Sequence, residues 1–364
     1  MRSFYLDVLR GVAILFVFGA HLDGFKDPNH LWTIPILNSW KLGGWQGVDL
    51  FFVVSGFLIS GLLFKEHQLT GTIRAKHFLI RRGFKIYPMY YLFLAATPLI
   101  MWWDFKPIGY ITEALFVQNY VYRIWGHTWS LAVEEHFYFS IALIFYFANK
   151  KLRDPFKYLP RIFFVVAFAT LLMRYWTYIY IPFTNMTHRF ATHLRIDSLG
   201  FGVLLAYYFH YYRAWMEAIV KKYQWLLLGL GLVTTLPNFL WPLFDSNLLP
   251  PLFFTLIYLG FGGILMVCVF KDSPNRLMEI CLNPIRKIGF YSYSIYLWHM
   301  PVQYWSKHVF FKFTGYHVSP LGKVFVYVIG SVVFGVMMGK IIETPLLKVR
   351  DRFYPSKIKG ARVV

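Results

Sequence analysis

The chain has 364 residues, of which 57% are hydrophobic, 21% aromatic and only 15% charged, and its formal net charge is +20. Soluble domains carry roughly 25% charged residues, so this composition excludes a soluble globular protein and predicts a chain largely covered by lipid. The two cysteines exclude a disulfide framework, and the basic residues lie between apolar runs instead of forming a nucleic-acid-binding domain.

Ten apolar runs follow one another along the chain, each close to the roughly 20 residues that a membrane-spanning helix needs. They are 4–22, 45–64, 86–104, 129–148, 160–181, 194–212, 223–241, 248–270, 285–306 and 321–343. The shorter run 108–122 is predicted to form an interfacial helix. The pattern predicts an all-α polytopic membrane protein of about ten transmembrane helices, with a transmembrane domain over 1–345 and a basic cytoplasmic tail over 346–364.

The orientation in the membrane follows from the basic residues, because cytoplasmic loops are enriched in Lys and Arg. With the N-terminus inside, 25 of the 37 Lys and Arg residues fall in inner segments and nine in outer segments. The remaining three lie within the predicted helices. This split predicts that both termini are cytoplasmic.

Ionisable residues lie within these predicted helices, where a charge costs about 2.5–3.5 kcal/mol and usually marks a site or a pathway. On the first helix, Arg10 lies in the inner half and His21 near the outer end. They share one face and are separated by about 16.5 Å of rise. Glu134 and Glu135 lie in the outer half of the fourth helix, near the depth of His21. Because an imidazole and a carboxylate together form a general base, His21 and Glu134 are the predicted catalytic pair, and Arg10 completes the predicted catalytic set.

Further ionisable residues fall at a similar outer depth on three other helices. They are Asp49, Arg195, Asp197 and His299. An isolated group near a helix end is more often interfacial or structural, which is the simpler interpretation of His127, His136, His188 and Asp49. Arg174 is expected to pair with a carboxylate or to extend toward the headgroups.

A basic segment precedes the third helix. Helical spacing places Arg74, Arg81 and Lys85 on one stripe, with Arg82 and Lys85 one turn apart. The simpler interpretation is an inner loop with affinity for anionic lipid. The functional interpretation is a phosphate site for a nucleotide-bearing donor, because Arg makes bidentate contacts with phosphate. The sequence shows neither a Gly-rich phosphate loop nor a Cys/His metal cluster, so no metal is expected.

A series of motifs spanning nearly the whole chain resembles the acyltransferase 3 family of bacterial membrane O-acyltransferases. Leu6–Gly11 with His21 matches the family's Arg-x10-His signature, and Arg81–Pro88 resembles its Arg-x-x-Arg segment. The other similar stretches are Gly47–Phe52 with Ser55–Phe57, Thr128–Tyr138, Arg195–Asp197, Tyr291–Pro301 and Glu343–Pro345. Lys85 departs from the pattern, because it replaces the second Arg and offers a point charge in place of a bidentate contact.

The resemblance implies transfer of an acetyl or other short acyl group from acyl-CoA, most commonly acetyl-CoA, to a hydroxyl. Typical acceptors are cell-surface glycans such as lipopolysaccharide, exopolysaccharide, capsule or peptidoglycan. The implied location is the bacterial inner (cytoplasmic) membrane, crossed many times. The implied partners are acyl-CoA, a glycan or glycolipid acceptor and the lipid bilayer, without nucleic acid, and a homo-oligomer is left open.

The predicted mechanism assigns a role to each of these residues. Donor phosphates bind near the inner face, at Arg81, Arg82, Lys85 and Tyr87. The pantetheine arm then passes Arg10 and brings the thioester to His21, which acts as general base while Glu134, or less readily Glu135, orients it. Arg195 or Trp129 stabilises the oxyanion or orients the sugar. The remaining acceptor and supporting residues are Asp49, Ser55, Asp197 and His299.

Several alternatives stay open at this stage. His21 could itself accept the acyl group before the acceptor arrives, and the acceptor could be a small molecule such as a macrolide. Buried His, Glu and Arg also form proton relays in transporters and flippases, although the two halves of the chain show no matching broken helices. A scaffold that recruits glycan enzymes would need none of the membrane-embedded charges.

Overall fold

The computed structural model describes residues 4–22, 35–101, 106–152, 154–241, 251–306 and 320–356. Within these ranges the regular structure is helical and contains no strand, which confirms the predicted all-α class. The helices are α1 (Phe4–Ala20), α2 (Pro35–Gly43), α3 (Gly47–Thr70), α4 (Ala75–Ile100), α5 (Pro107–Ala114), α6 (Trp129–Lys151), α7 (Leu159–Tyr180), α8 (Ile196–Tyr211), α9 (Arg213–Thr235), α10 (Pro237–Leu240), α11 (Pro251–Phe270), α12 (Arg276–Phe290), α13 (Ser292–Trp305), α14 (Pro320–Met338) and α15 (Thr344–Phe353).

Each of the ten predicted segments overlaps a helix within the described residues, because a long apolar run satisfies its backbone hydrogen bonds best as a helix. In the part of the chain that the structure describes, five helical stretches are long and apolar enough to cross a membrane, namely Pro35–Thr70, Trp129–Lys151, Leu159–Tyr180, Pro251–Phe270 and Leu321–Phe353. The count of ten spans and the cytoplasmic position of both termini remain predictions.

Two predicted segments are interrupted in the structure. The segment 285–306 is divided between α12 and α13, because Tyr291 leaves the helical conformation with φ −98° and ψ 16°. The predicted interfacial helix 108–122 is shorter than expected, since α5 ends at Ala114 and Phe116 takes a positive φ of 56°. The residues up to α6 then form turns and loop, which carry His127.

Close helix packing depends on glycines at backbone contacts. A Cβ on Gly202 of α8 would lie 2.3 Å from the Val53 carbonyl oxygen of α3, and one on Gly289 of α12 would lie 1.7 Å from the Asp7 carbonyl oxygen of α1. Small residues let membrane helices approach this closely. The contacts hold α1, which carries Arg10, against α12 and bring α3 against α8.

The C-terminal segment is attached to α4. After α14, the π-helical turn Gly339–Glu343 leads into α15, which packs on α4. The predicted boundary after residue 345 therefore falls within the first turn of α15. This arrangement brings the chain from Glu343 to Tyr354 alongside the basic start of α4.

Candidate functional site

A cavity of about 660 Å³ is lined by residues of α1, α3, α4, α6, α8, α9, α11 and α13. Much of its wall is apolar and comes from α3, including Phe51, Phe57 and Leu58. Among the described residues, its charged lining consists of five cations and one carboxylate, namely Arg10, Lys65, Arg82, Lys85, Arg213 and Glu134. An apolar space with this excess of positive charge favours an anionic ligand with an uncharged, extended part.

Glu134 lies on the cavity wall beside two guanidinium groups. Arg82 and Arg10 both interact electrostatically with its carboxylate, and the hydroxyls of Ser55 and Tyr138 lie next to it. The Ser55 and Tyr138 hydroxyl oxygens are 2.5 Å apart, and the Arg82 guanidinium stands 4.4 Å from the centre of the Tyr138 ring. The predicted residues Arg10, Ser55, Arg82 and Glu134 are therefore gathered on one side of the cavity.

Lys85 lines the same cavity and is held by the C-terminal segment. Its ammonium donates to the carboxylate of Glu343, which also accepts a hydrogen bond from the Ser294 hydroxyl. Lys85 is only 5% exposed and Glu343 only 6%. Because a buried ammonium needs a partner, Glu343 fixes Lys85 at the cavity wall.

Two residues predicted to bind the donor lie outside the described cavity lining. Arg81 donates to Asp351 at 2.9 Å and to the Tyr354 carbonyl, so it joins α4 to α15 and the residue that follows it. Tyr87 donates to Glu135 at 2.9 Å and is 41% exposed. The placement of Arg81, Tyr87 and Glu135 in the predicted site therefore gains no support from the cavity geometry.

Lys65 and Arg213 line the cavity although the sequence analysis did not single them out. Lys65 lies near the end of α3, and Arg213 is the first residue of α9, where it packs over the rings of Phe209 and Phe270. Basic residues recur at this predicted inner face throughout the chain. Only the tertiary packing shows which of them point into the interior, so the sequence carried no signal for these two.

Three histidines meet next to Tyr296, which lines this cavity, and we call His21, His127 and His299 the histidine cluster. The His299 ring centre lies 4.9 Å from that of His21 and 4.9 Å from that of His127. The Nε2 atom of His299 is 3.4 Å from Nδ1 of His21. His299 is fully buried and His127 is 1% exposed.

The predicted contact between His21 and Glu134 does not form among the described residues. His21 contacts His299 and its own helix at the Val17 carbonyl, whereas Glu134 faces the cavity. Tyr296 lies between the two regions, because its ring lines the cavity and its carbonyl oxygen contacts Nδ1 of His299. The pairing was inferred from a shared depth in the membrane, and depth does not fix the direction in which a side chain points.

A sequence model described as an acyltransferase domain, that of the acyltransferase 3 family, matches residues 3–340. The chain belongs to the acyltransferase 3 family. It is 27% identical over 320 residues to peptidoglycan O-acetyltransferase OatA of Listeria monocytogenes. The aligned region covers 82% of this chain and 49% of that protein. It is 29% identical over 374 residues to O-acetyltransferase OatA of Staphylococcus aureus, covering 94% of this chain and 57% of the relative.

This acyltransferase 3 protein spans about half the length of these curated relatives. No solved structure matches it. The family match confirms the resemblance drawn from the motifs, and together with the apolar helices it makes the chain a bacterial membrane protein. Within the described part of the acyltransferase 3 protein, no group of three His, Cys, Asp or Glu residues is arranged to hold a metal ion.

Two buried ion pairs connect α3, α7 and α8 of the acyltransferase 3 protein. Arg195 donates to Asp49 at 2.5 Å, and Arg174 donates to Asp197 at 2.5 Å, which confirms that Arg174 pairs with a carboxylate. All four side chains are at most 3% exposed. The Arg195 guanidinium also lies 5.7 Å from the Trp129 ring centre. These contacts hold Arg195, Asp49 and Asp197 in a structural network that stands apart from the cavity lining.

Glu113 is a buried carboxylate that the sequence analysis missed. It is 0% exposed and accepts from the Tyr90 hydroxyl at 2.8 Å and the Thr128 hydroxyl at 2.9 Å. It also accepts from the backbone N–H groups of Ile124 and Trp125, each at 3.2 Å. Glu113 therefore organises the loop that delivers His127 to the histidine cluster. Its position in a short apolar segment gave no sign of this role.

Proposed function

We propose that this protein is a membrane O-acyltransferase that moves an acetyl or other short acyl group from acyl-CoA to a hydroxyl of a cell-surface glycan. The observation that carries the proposal is the cavity, whose charged lining has five cations and one carboxylate. The cavity reaches Tyr296, and Tyr296 contacts His299 of the histidine cluster. An acyl-CoA donor fits both the cationic and the apolar parts of this cavity, because its nucleotide carries the phosphates and its uncharged arm carries the reactive thioester.

The donor phosphates bind the cationic residues near the end of α3, the start of α9 and the start of α4. Lys65 comes from α3, Arg213 from α9, and Arg82 and Lys85 from α4. The pantetheine arm then follows the apolar wall of α3. Arg supplies bidentate contacts to phosphate oxygens and Lys supplies point charges, so the set suits several phosphate groups at once.

The histidine cluster supplies the chemistry. Tyr296 and His299 are three residues apart on α13, so the end of the cavity is about one helical turn, or about 4.5 Å of rise, from His299. His21 removes the proton from the acceptor hydroxyl, and the oxygen attacks the thioester carbonyl carbon. The tetrahedral intermediate then breaks its carbon–sulfur bond, and the proton held by His21 passes to the leaving thiolate.

The acceptor is a glycan or glycolipid hydroxyl at the outer face of the inner (cytoplasmic) membrane. Under the predicted orientation, His21 lies near the outer end of α1 and Arg10 in its inner half. Both relatives are named O-acetyltransferases, and the Listeria monocytogenes protein is named for peptidoglycan. These names support an acetyl donor and a surface glycan over a small-molecule acceptor.

Replacement of His21 tests this function. The full chain is purified, placed in vesicles with acetyl-CoA labelled on the acetyl group and a peptidoglycan fragment, and assayed for free thiol and acetylated glycan. We expect His21→Ala to abolish both products while the protein remains inserted, and His188→Ala, a histidine outside the cluster, to retain them. Full activity of His21→Ala refutes the assignment. Glycan movement across the vesicle without thiol release identifies a flippase instead.

A further inference from the structure

We infer that His299 is a positioning residue that fixes the tautomer of His21, so that the Nε2 atom of His21 is the basic nitrogen. The inference rests on the proposed function, since it assigns a partner to the same general base. The sequence analysis gave this orienting role to Glu134. The structure places an imidazole from α13 beside His21 instead.

The tautomer of His299 follows from the backbone around it. Its Nδ1 contacts the carbonyl oxygen of Tyr296, and a carbonyl can only accept, so Nδ1 carries the hydrogen. The ring is fully buried, where a neutral imidazole is much less costly than a charged one. In a neutral ring with a hydrogen on Nδ1, Nε2 has a free lone pair. That lone pair belongs to the nitrogen that faces His21.

The tautomer of His21 follows in turn. Its Nδ1 lies 2.9 Å from the Val17 carbonyl oxygen and 3.4 Å from Nε2 of His299. Both neighbours are acceptors, so Nδ1 of His21 carries the hydrogen and Nε2 holds the lone pair. Once Nε2 takes the acceptor's proton, the positive ring keeps its Nδ1–H directed at these two acceptors, which favours the charged form of the base during the reaction.

Pro301 explains why the α13 backbone can hold this cluster. In a helix the N–H of residue 301 would bond to the carbonyl of Leu297, but proline has no N–H. The Leu297 carbonyl instead lies 3.1 Å from Nε2 of His127. His127 is therefore fixed against the ring of His299 on α13, and the stretch from Tyr296 to Pro301 supplies both the positioning imidazole and the backbone acceptors.

The α13 helix also holds the end of α1. Gln303 donates from its side-chain amide to the backbone carbonyl of His21. Gln303 lies four residues after His299, on the same face of α13. The helix therefore fixes both the backbone and the ring of His21, which is the arrangement that a positioning role requires.

Two amide variants of His299 separate this role from simple packing. The Gln amide oxygen can stand near the position of Nε2 and accept from His21, whereas the shorter Asn amide reaches only the position of Nδ1. We expect His299→Asn and His299→Leu to lower kcat about 100-fold, within the range for general-base catalysis. We expect His299→Gln to recover most of that loss, with the KM for acetyl-CoA unchanged in all three variants.

The measurements are steady-state thiol release by the full chain in vesicles and thermal unfolding in detergent. His136→Ala, a histidine outside the cluster, is the matched control and should retain wild-type kcat. The inference is overturned if His299→Gln is as slow as His299→Asn, if His299→Leu keeps its kcat, or if KM alone changes. A wild-type protein that releases no thiol refutes the proposed function itself, so the two failures are distinguishable.

Discussion

Glu113 shows how a single buried side chain can support a site from a distance. Its carboxylate accepts four hydrogen bonds, two from hydroxyls and two from backbone N–H groups of the loop that ends at His127. None of these donors belongs to the histidine cluster. Glu113 therefore acts through the loop, and its loss should affect stability and catalysis together.

Replacement of Glu113 with Ala should destabilise the protein strongly. Each buried donor left without a partner costs about 1–3 kcal/mol, so several such groups together amount to a large fraction of the stability. Thermal unfolding in detergent measures the loss, and thiol release measures the accompanying fall in kcat. Glu217→Ala is the matched control, because Glu217 forms an exposed ion pair with Lys221, and exposed pairs of this kind contribute little to stability. Equal stability of the two variants would contradict the role of Glu113.

The sequence predicted which residues belong to the site better than it predicted which residues contact one another. Arg10, His21 and Glu134 were identified because charges within apolar helices are costly and conspicuous. Arg82 and Lys85 were identified because they are one helical turn apart in a basic segment before the third predicted helix. Their partners were not predictable, because His21 and His299 lie 278 positions apart in the chain and meet only through packing. Helical spacing grouped Arg81 with Lys85, yet each meets a different carboxylate of the C-terminal segment.

At the scale of helices, hydropathy located the elements well because the membrane demands long apolar runs. The hydropathy signal was weaker where polar and apolar residues mix. Helix α4 begins at Ala75 in a basic stretch, before the predicted segment 86–104. The predicted segment 285–306 joined the end of α12 to α13 as one helix. The unpredicted part of the fold is how these helices pack, and that depends on small residues at specific contacts.

Gly202 tests the packing of α3 against α8. A Cβ at Gly202 would meet backbone atoms of α3, at 2.3 Å from the Val53 carbonyl oxygen, and backbone cannot yield as a flexible side chain can. We expect Gly202→Val to separate the two helices, lower the unfolding temperature and reduce activity, since both helices line the cavity. Gly229→Val is the control, because nothing lies within 4 Å of a Cβ there. A stable, active Gly202→Val protein would show that this contact is not required.

For the whole molecule, the distribution of charge connects the architecture to the reaction. The predicted inner end of the bundle contributes Lys65, Arg82, Lys85 and Arg213 to the cavity lining, whereas Tyr296, which also lines the cavity, contacts the histidine cluster. Lys85 is neutralised by Glu343. Among the described residues, neither Lys65 nor Arg213 forms an ion pair with a carboxylate, and the electrostatic interaction of Arg213 with Glu217 is at an exposed position, so the charge of both cations is available to a ligand.

Removal of these two charges should weaken donor binding without slowing chemistry. Each charged hydrogen bond to a phosphate is worth about 1.5–3 kcal/mol, so Lys65→Gln or Arg213→Gln should raise the KM for acetyl-CoA about tenfold or more, since 1.4 kcal/mol is a factor of ten. The kcat should stay unchanged, because both residues lie far from the histidine cluster along the cavity.

A truncated donor makes the same experiment specific for phosphate. S-acetylpantetheine keeps the thioester and the arm but has no phosphate, so its KM should be the same for the wild type and both variants. Lys222→Gln, an exposed lysine on α9 outside the cavity lining, controls for the general loss of positive charge and should leave both KM values unchanged. If the KM for S-acetylpantetheine rises as much as that for acetyl-CoA, Lys65 and Arg213 shape the cavity instead of binding phosphate, and the donor's nucleotide must bind elsewhere.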